Sequence, residues 1–386
     1  MSLKDKYAFI SIGLTKQGRV PELDVNELAT QAILLALEDA GMGKDELDGY
    51  IYQTGFGGGP VGTAPLIAAG IPAKFCWEMQ AGSTTAIAAM IAAIGAMEAG
   101  LCQACVLVYS TSASSMGVMV GEEAKSKSTW GAYGFYAYVA VAAGMLRRYR
   151  HLYSLTDQQL GSVAVTLRDY ANKRPEAVMY NQKLTMEDYL NSRFIVEPIR
   201  ARDCCLVNDG AVALIITSAE RAKNYKKRPV YVMGYGLDHS VREIWQSRRA
   251  LWDWDGFVVQ KAGENAFNMA GITLQDVDVA MMYDAFTIFL LSGLESYGIC
   301  GRGEAGAFVE EGNLRLDGAW PSNTSGTELS WSYLQGFTNL TEGIRQMRSE
   351  SGECQVKDAE ICMVTGLGGA AEPAYGSGAA CCILRR

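Results

Sequence analysis

The most apolar helix-like stretch of the chain runs over residues 86–100 and consists almost entirely of Ala, Ile and Met. Small apolar residues on all faces predict a helix that is packed on every side by other elements. Residues 81–85 (AGSTT) predict its start, with free backbone N–H groups and a positive dipole end. Such a start suits an oxyanion or a nucleophile of lowered pKa, although ordinary Ser and Thr caps explain the same residues.

Apolar runs and helical spacing elsewhere predict strands and helices in alternation. This alternation predicts mostly parallel sheets that are covered on both faces. The predicted strands span residues 7–14, 48–53, 104–109, 209–216, 277–283, 359–365 and 378–384, and the predicted helices span 25–40, 86–100, 142–153, 156–170, 263–271 and 323–347.

The second half of the chain repeats the order of the first. An Ala-Gly pair, a turn, an apolar-Asp pair and a strand occur over residues 40–52 and again over 270–283. We therefore predict a duplicated α/β unit, in which each half gives one buried helix to a shared middle layer. The result is a five-layered α/β/α/β/α sandwich. The N-terminal half is expected to comprise residues 1–115 and 206–226, an inserted loop domain 116–205, and the C-terminal half 227–386.

The active site of open α/β units lies beyond the carboxyl ends of the strands. By this rule a predicted cleft is lined by residues 53–59, 110–115, 283–286 and 366–369. The predicted helix starts at Ala81 and Asn323 point into the same cleft.

Composition excludes several classes of function. The net charge of −8 argues against a general affinity for nucleic acid or for anionic membranes. No apolar run is long enough to span a bilayer, and residues 1–6 lack a signal-peptide core, so we expect a cytoplasmic protein. The ten cysteines are scattered along the chain, and only two histidines are present, so no metal site is expected within this chain.

Three motifs carry a resemblance to a known family: residues 201–211 (ARDCCLVNDGA), 218–222 (SAERA) and 365–369 (TGLGG). With them the sequence resembles the thiolase superfamily over nearly its full length, and in particular the sterol-carrier-protein-x type. The resemblance implies the thiolase fold, a homodimer and a CoA thioester as substrate or CoA as co-substrate, with no covalently bound cofactor. The strand predicted at 104–109 would also make a poor exposed edge, which favours a dimer.

The catalytic residues of thiolases are missing at the matching positions. Met79 stands where the family has its nucleophilic cysteine, and Tyr283 stands where one catalytic histidine is found. The region of the second histidine reads NTSGTEL over residues 323–329. Neither His151 nor His239 lies in a matching place.

A branch with the same losses, the steroid side-chain CoA aldolases, is similar in residues 283–287 (YDAFT), 295–298 (ESYG) and 333–336 (YLQG). This resemblance implies that Tyr283 and Tyr333 take part in retro-aldol cleavage of a β-hydroxyacyl-CoA. It also implies a small zinc-ribbon/OB-fold partner protein. The reaction needs a base for the β-hydroxyl proton and stabilisation of a thioester enolate, but no covalent intermediate. We assign Tyr283 to the hydroxyl end and Tyr333 to the thioester end.

Aromatic and Met-rich residues at 133–138 and 245–254 favour a bulky, apolar acyl group. Two alternatives stay open. One is thiolysis of a bulky β-ketoacyl-CoA, for which Cys76 is the only cysteine near the family position. The other is a non-catalytic homologue that binds acyl-CoA or lipid. The residues expected to contact the substrate or CoA come from the helix starts and the last glycine-rich loop: Met79, Gly82, Ser83, Asn323, Gly326, Gly368 and Gly369.

Overall fold

The computed structural model describes residues 3–54, 59–60, 62–117, 138–239, 257–368 and 378–386. Gly369 and most of the two aromatic segments lie outside these ranges. The strands are β1 Tyr7–Leu14, β2 Gly49–Gln53, β3 Phe75–Glu78, β4 Ala104–Ser112, β5 Phe194–Val196, β6 Ile199–Arg200, β7 Asp209–Ser218, β8 Val230–His239, β9 Val279–Met281, β10 Ile361–Gly368 and β11 Gly378–Arg385. The helices are α1 Val25–Ala40, α2 Ala64–Ala69, α3 Thr85–Glu98, α4 Tyr138–Tyr153, α5 Asp157–Ala171, α6 Met186–Leu190, α7 Ala219–Ala222, α8 Phe257–Ala270, α9 Thr287–Ser296, α10 Ala305–Glu310 and α11 Phe337–Arg348.

The first helix, α1, shows how local sequence sets the element bounds. Asp24 caps its start, because the side chain accepts hydrogen bonds from the Asn26 and Glu27 amides while Glu27 reaches back to the Asp24 amide. Gly41 ends the helix in the left-handed region at φ 67°, where a glycine has no steric penalty. The bounds of β1 and α1 are therefore those predicted.

Nine strands form one sheet in the order β3-β2-β4-β7-β1-β8-β11-β10-β9. The N-terminal half supplies the first five strands and the C-terminal half the last four, and the halves meet where β1 pairs with β8. The prediction of mostly parallel strands is wrong. Five of these pairings are antiparallel, and only β2–β3, β2–β4 and β9–β10 are parallel.

Five layers are confirmed by the packing. Helix α1 covers the outer face of β1, β4 and β7, and α8 covers the outer face of β8 and β11. Between the two groups of strands lie α3 and α11, which contact each other. One continuous apolar core surrounds these two middle helices and includes the stacked rings of Tyr109 and Phe337.

The predicted helix over 323–347 is interrupted. A π-helical turn, Thr327–Trp331, comes first, and α11 begins only at Phe337. Between them Ser332 is extended, while Gln335 and Gly336 have φ values of 46° and 83°. Tyr333 therefore lies in the break between two helical pieces, and not on the first turns of one helix.

The segment predicted as an insertion contributes α4, α5, α6 and the β5–β6 hairpin. Helix α5 packs against α9, α10 and the π-helical turn, so this segment rests on the C-terminal half. Just after α5, Arg174 forms an ion pair with Glu342 of α11 at 2.6 Å. The predicted domain boundaries stay a prediction.

Strand β4, which contains residues 104–109, lies between β2 and β7 and is not an edge strand. The prediction that a dimer is needed to cover this strand is therefore wrong. The edge strand of this half is β3, whose Trp77 is 51% exposed. Among the helices of the described residues, we find none with the length and apolar character that a bilayer crossing requires.

Candidate active site

Two tyrosine hydroxyl groups meet at the carboxyl ends of the C-terminal strands. Tyr283 follows β9, and its backbone amide donates to the Thr365 hydroxyl of β10 at 3.1 Å. Tyr333 follows the π-helical turn, and its amide donates to Asn208 Oδ1 at 2.7 Å. The two phenol oxygens are 3.5 Å apart. Two residues that the sequence places 50 positions apart are thus brought together, as predicted for one cleft.

Both phenols are held in the neutral form. Burial raises the pKa of Tyr283 well above its ordinary value, and the nearby Glu328 carboxyl and Tyr333 raise it further. Burial likewise raises the pKa of Tyr333, and Cys205 and Glu328 add to the effect. The Ser83 hydroxyl acts in the opposite direction on Tyr283, but burial outweighs it. These side chains are therefore hydrogen-bond and proton donors, and neither is a standing phenolate base.

Glu328, in the π-helical turn, is a buried carboxyl that the sequence analysis missed. Its side chain is fully buried, and Oε1 accepts a hydrogen bond from the Gly336 amide. Among the described residues, Oε2 has no hydrogen-bond partner. Burial and the neighbouring Asp284 carboxylate raise the pKa of Glu328 well above its ordinary value, whereas the approach of Tyr283 lowers it.

Asp284 fixes the turn that carries Glu328. Its carboxylate accepts from the Thr327 hydroxyl at 2.6 Å and from the backbone amides of Glu328 and Leu329 at 3.3 and 3.2 Å. Asn323 ties the same region to β9, because its side chain accepts from the Met282 amide and donates to the Met282 carbonyl, both at 2.8 Å. The position of Asp284 is visible in the sequence, because it directly follows the strand predicted over residues 277–283.

The start of α3 lies next to these residues. The Ser83 hydroxyl donates to the Leu367 carbonyl of β10. The Ser83 carbonyl lies so close to Gly336 and Gly366 that a Cβ on either glycine would approach it to 2.5 and 2.7 Å. On the other side, Gln53 at the end of β2 donates to the Gly82 carbonyl at 3.4 Å. The N-terminal half therefore meets the C-terminal half at Ser83.

The remaining predicted contact residues occupy different places. Met79 is partly buried against the middle core, and its amide donates to the Tyr52 carbonyl. Gly326 has φ +82° and packs on the Leu167 carbonyl of α5, where a Cβ would come to 2.4 Å. Gly368 pairs with Gly378 at the end of β10, and Gly369 is outside the described residues. Their roles in binding stay predictions.

A cysteine other than Cys76, the candidate for a thiolytic nucleophile, acts electrostatically on the two tyrosines. Cys76 lies on the exposed edge strand β3, whereas Cys205 contributes to the pKa shifts of both Tyr283 and Tyr333. Burial, reinforced by Glu328, raises the pKa of Cys205 well above its usual range, which disfavours a thiolate. All ten cysteines are free thiols, and His151 is exposed on α4.

Comparison with known proteins agrees with this geometry. Residues 245–379 match the family of thiolase C-terminal domain-like proteins. The chain is 32% identical to the 17-hydroxy-3-oxo-4-pregnene-20-carboxyl-CoA lyase of Mycobacterium tuberculosis over 90% of its own length and 93% of the relative. It is 30% identical to an acetyl-CoA acetyltransferase of Methanothermobacter thermautotrophicus over 94% of its length and 96% of the relative.

The structure is also similar to that of the Ltp2-ChsH2(DUF35) aldolase, with a TM-score of 0.86 and 28% identity over 100% of this chain and 99% of that one. The chain therefore belongs to the thiolase superfamily, and it is an enzyme that acts on carbon–carbon bonds of CoA thioesters. Within the superfamily it is close to the steroid side-chain-cleaving aldolases.

Proposed function

We propose that this protein cleaves a bulky β-hydroxyacyl-CoA by a retro-aldol reaction. The observation that carries the proposal is the pair of neutral phenols, Tyr283 and Tyr333, with their oxygens 3.5 Å apart. No activated thiol accompanies them, because the adjacent Cys205 has a raised pKa. A site of hydroxyl and carboxyl groups supports proton transfer and stabilises developing negative charge, which is what aldol cleavage needs.

Tyr283 faces the β-hydroxyl and Tyr333 the thioester in this proposal. Tyr333 donates a hydrogen bond to the thioester oxygen, which becomes negative as the carbon–carbon bond breaks. A donor aimed at such an oxyanion contributes about 3–4 kcal/mol to transition-state stabilisation. Tyr283 relays the proton that leaves the β-hydroxyl, and the carbonyl product forms as the bond to the α-carbon is lost.

CoA enters beside the start of α3 in the same proposal, with its thioester near Ser83 and Gly368. The support is that the start of α3 meets the end of β10 there, since the Ser83 hydroxyl donates to the Leu367 carbonyl, and that Ser83 also acts on the Tyr283 hydroxyl. The predicted contacts from Met79, Gly82, Asn323, Gly326 and Gly369 belong to this proposal. The inserted segment would contact the acyl group.

The decisive assay tests cleavage of 17-hydroxy-3-oxo-4-pregnene-20-carboxyl-CoA and of the smaller 3-hydroxy-3-phenylpropanoyl-CoA by mass spectrometry. We expect a ketone or aldehyde and a shortened acyl-CoA as products. Tyr283→Phe and Tyr333→Phe should each lower kcat by about 10²–10⁴ with little change in KM, because they remove a group used in the transition state.

Cys76→Ala and Cys205→Ala are the controls, and both should stay within a few-fold of the wild type. An inactive cysteine variant together with active Tyr→Phe variants would identify a thiolase with a displaced nucleophile. Binding of both CoA esters without any cleavage would identify a non-catalytic acyl-CoA-binding homologue.

Two partners belong to the proposal. The first is a DUF35-type zinc-ribbon/OB-fold protein, as in the name of the Ltp2-ChsH2(DUF35) aldolase, so the assays are run with and without such a protein. The second is another copy of this chain. Strand β3 pairs only with β2 among the described residues, and its exposed Trp77 supports pairing between the β3 edges of two copies.

A further inference from the structure

We propose that Glu328 is the residue that accepts the β-hydroxyl proton, acting through Tyr283. The proposal rests on the retro-aldol function above and adds the base that this function lacks. Glu328 is a positioning residue in this mechanism, because Tyr283 stands between it and the substrate.

The geometry of the carboxyl favours this role. Oε1 is occupied by the Gly336 amide, which fixes the orientation of the side chain. Oε2 is buried and has no donor among the described residues, although a buried carboxylate oxygen normally has one. The Tyr283 hydroxyl lies near this carboxyl and lowers its pKa. In the proposed mechanism Tyr283 donates to the unoccupied Oε2.

The charges around Glu328 determine how readily it takes a proton. Burial penalises its negative charge, and the carboxylate of Asp284, in the loop that follows β9, repels the same charge. The other titratable groups that sense Glu328 are neutral at physiological pH: Tyr109 of β4, Cys205, Tyr283 and Tyr333. Glu328 is consequently a stronger base than an ordinary glutamate, whose pKa is 4.5.

The proton balance closes without another reactant. The β-hydroxyl O–H bond breaks and its proton passes to the Tyr283 oxygen, while the Tyr283 proton passes to Glu328 Oε2. The electrons of the bond between the α- and β-carbons move into the thioester enolate, and the β-carbon becomes a carbonyl. The proton then returns from Glu328 through Tyr283 and Tyr333 to the α-carbon of the enolate. The enzyme ends as it began.

The test is the pH profile of Glu328→Gln, with whichever of the two β-hydroxyacyl-CoA probes the wild type cleaves. Wild-type kcat should fall as the pH drops through the raised pKa of Glu328, since only the carboxylate accepts a proton. The variant should lose about 10²–10⁴ in kcat at the wild-type optimum and lose this acidic limb, with KM little changed. Glu328→Asp, which keeps a carboxylate, should retain the limb and recover part of the rate.

Glu295→Gln is the matched control. Glu295 is another buried carboxyl that accepts from a tyrosine, Tyr149, and from the Gly303 and Ala305 amides, but it lies outside the proposed site. The Glu295→Gln variant should keep the wild-type kcat and pH profile. The double variant Tyr283→Phe/Glu328→Gln should be no slower than the slower single variant, because the two residues act in series.

Wild-type kcat and an unchanged acidic limb in folded Glu328→Gln would overturn the role of Glu328 and leave the retro-aldol function intact. A loss confined to KM, or one that Glu328→Asp does not reverse, would reduce Glu328 to a structural residue. Failure of the wild type to cleave either probe would refute the proposed function itself.

Discussion

Replacing Arg174 by methionine removes one half of a buried ion pair, and we expect this change to lower the free energy of unfolding by about 3–5 kcal/mol. The Arg174 guanidinium lies 2.6 Å from the Glu342 carboxylate, and the side chains are 5% and 0% exposed. Methionine preserves most of the apolar volume but leaves the Glu342 charge without its cation. The Thr324 hydroxyl and the Gln346 amide, at 2.7 and 3.2 Å, are neutral donors and compensate only in part.

Urea unfolding followed by tryptophan fluorescence measures the effect. A loss of 3–5 kcal/mol is roughly a hundred- to several-thousand-fold change in the unfolding equilibrium constant. Adding Glu342→Gln should recover most of the loss, because it removes the unpaired charge and keeps an acceptor for Thr324.

Arg345→Met is the control for a more exposed pair. Arg345 contacts Glu176 at 2.6 Å, but the two side chains are 18% and 39% exposed. Solvent screening should limit its cost to about 1 kcal/mol. If Arg174→Met costs no more than Arg345→Met, or if the double variant is no more stable than Arg174→Met alone, the reasoning from an uncompensated buried charge is refuted.

Two further predictions concern the cleft and the edge strand. Gly336→Ala should lower kcat and reduce the free energy of unfolding by more than about 1 kcal/mol. The reason is that Gly336 has φ +83° and that a Cβ would come to 2.5 Å from the Ser83 carbonyl. Gly100→Ala is the control, because Gly100 has φ +72° with nothing within 4 Å, and this variant should keep full activity in the same assays. The protein should sediment as a dimer at micromolar concentration, and Trp77→Lys on β3 should shift it towards monomer; a wild-type monomer, or an unaffected variant dimer, would contradict the role of β3.

Local sequence was sufficient to predict those helices and strands whose bounds are set by their own residues and caps. Helix α1 has its cap at Asp24 and its stop at Gly41, and β1 is a mostly apolar run between two neighbouring strands. The direction of strand pairing has no such signal. Strand β1 is distant in sequence from β7 and from β8, so the alternation with helices did not reveal that it pairs antiparallel with both.

The interrupted helix and the role of Glu328 share one cause. The sequence predicts one helix over residues 323–347, and nothing in it marks Glu328 as buried. In the fold, Asp284 binds the backbone amides of Glu328 and Leu329, which favours a separate turn. Because Asp284 comes from another segment, the burial of Glu328 follows only from the tertiary structure. The two tyrosines were found through motif resemblance instead.

The inserted segment determines the geometry of this turn as much as Asp284 does. Gly326 packs on the backbone of α5, and Arg168 of α5 donates to the Ser330 hydroxyl at 3.0 Å. Arg174 and Arg345 both lie over the Trp331 ring, at 5.6 and 5.1 Å from its centroid. This packing helps to bury the turn, and burial raises the pKa of Glu328. The proposed role of Glu328 therefore depends on the inserted segment as well as on Asp284, because α5 packs against the turn that carries this carboxyl.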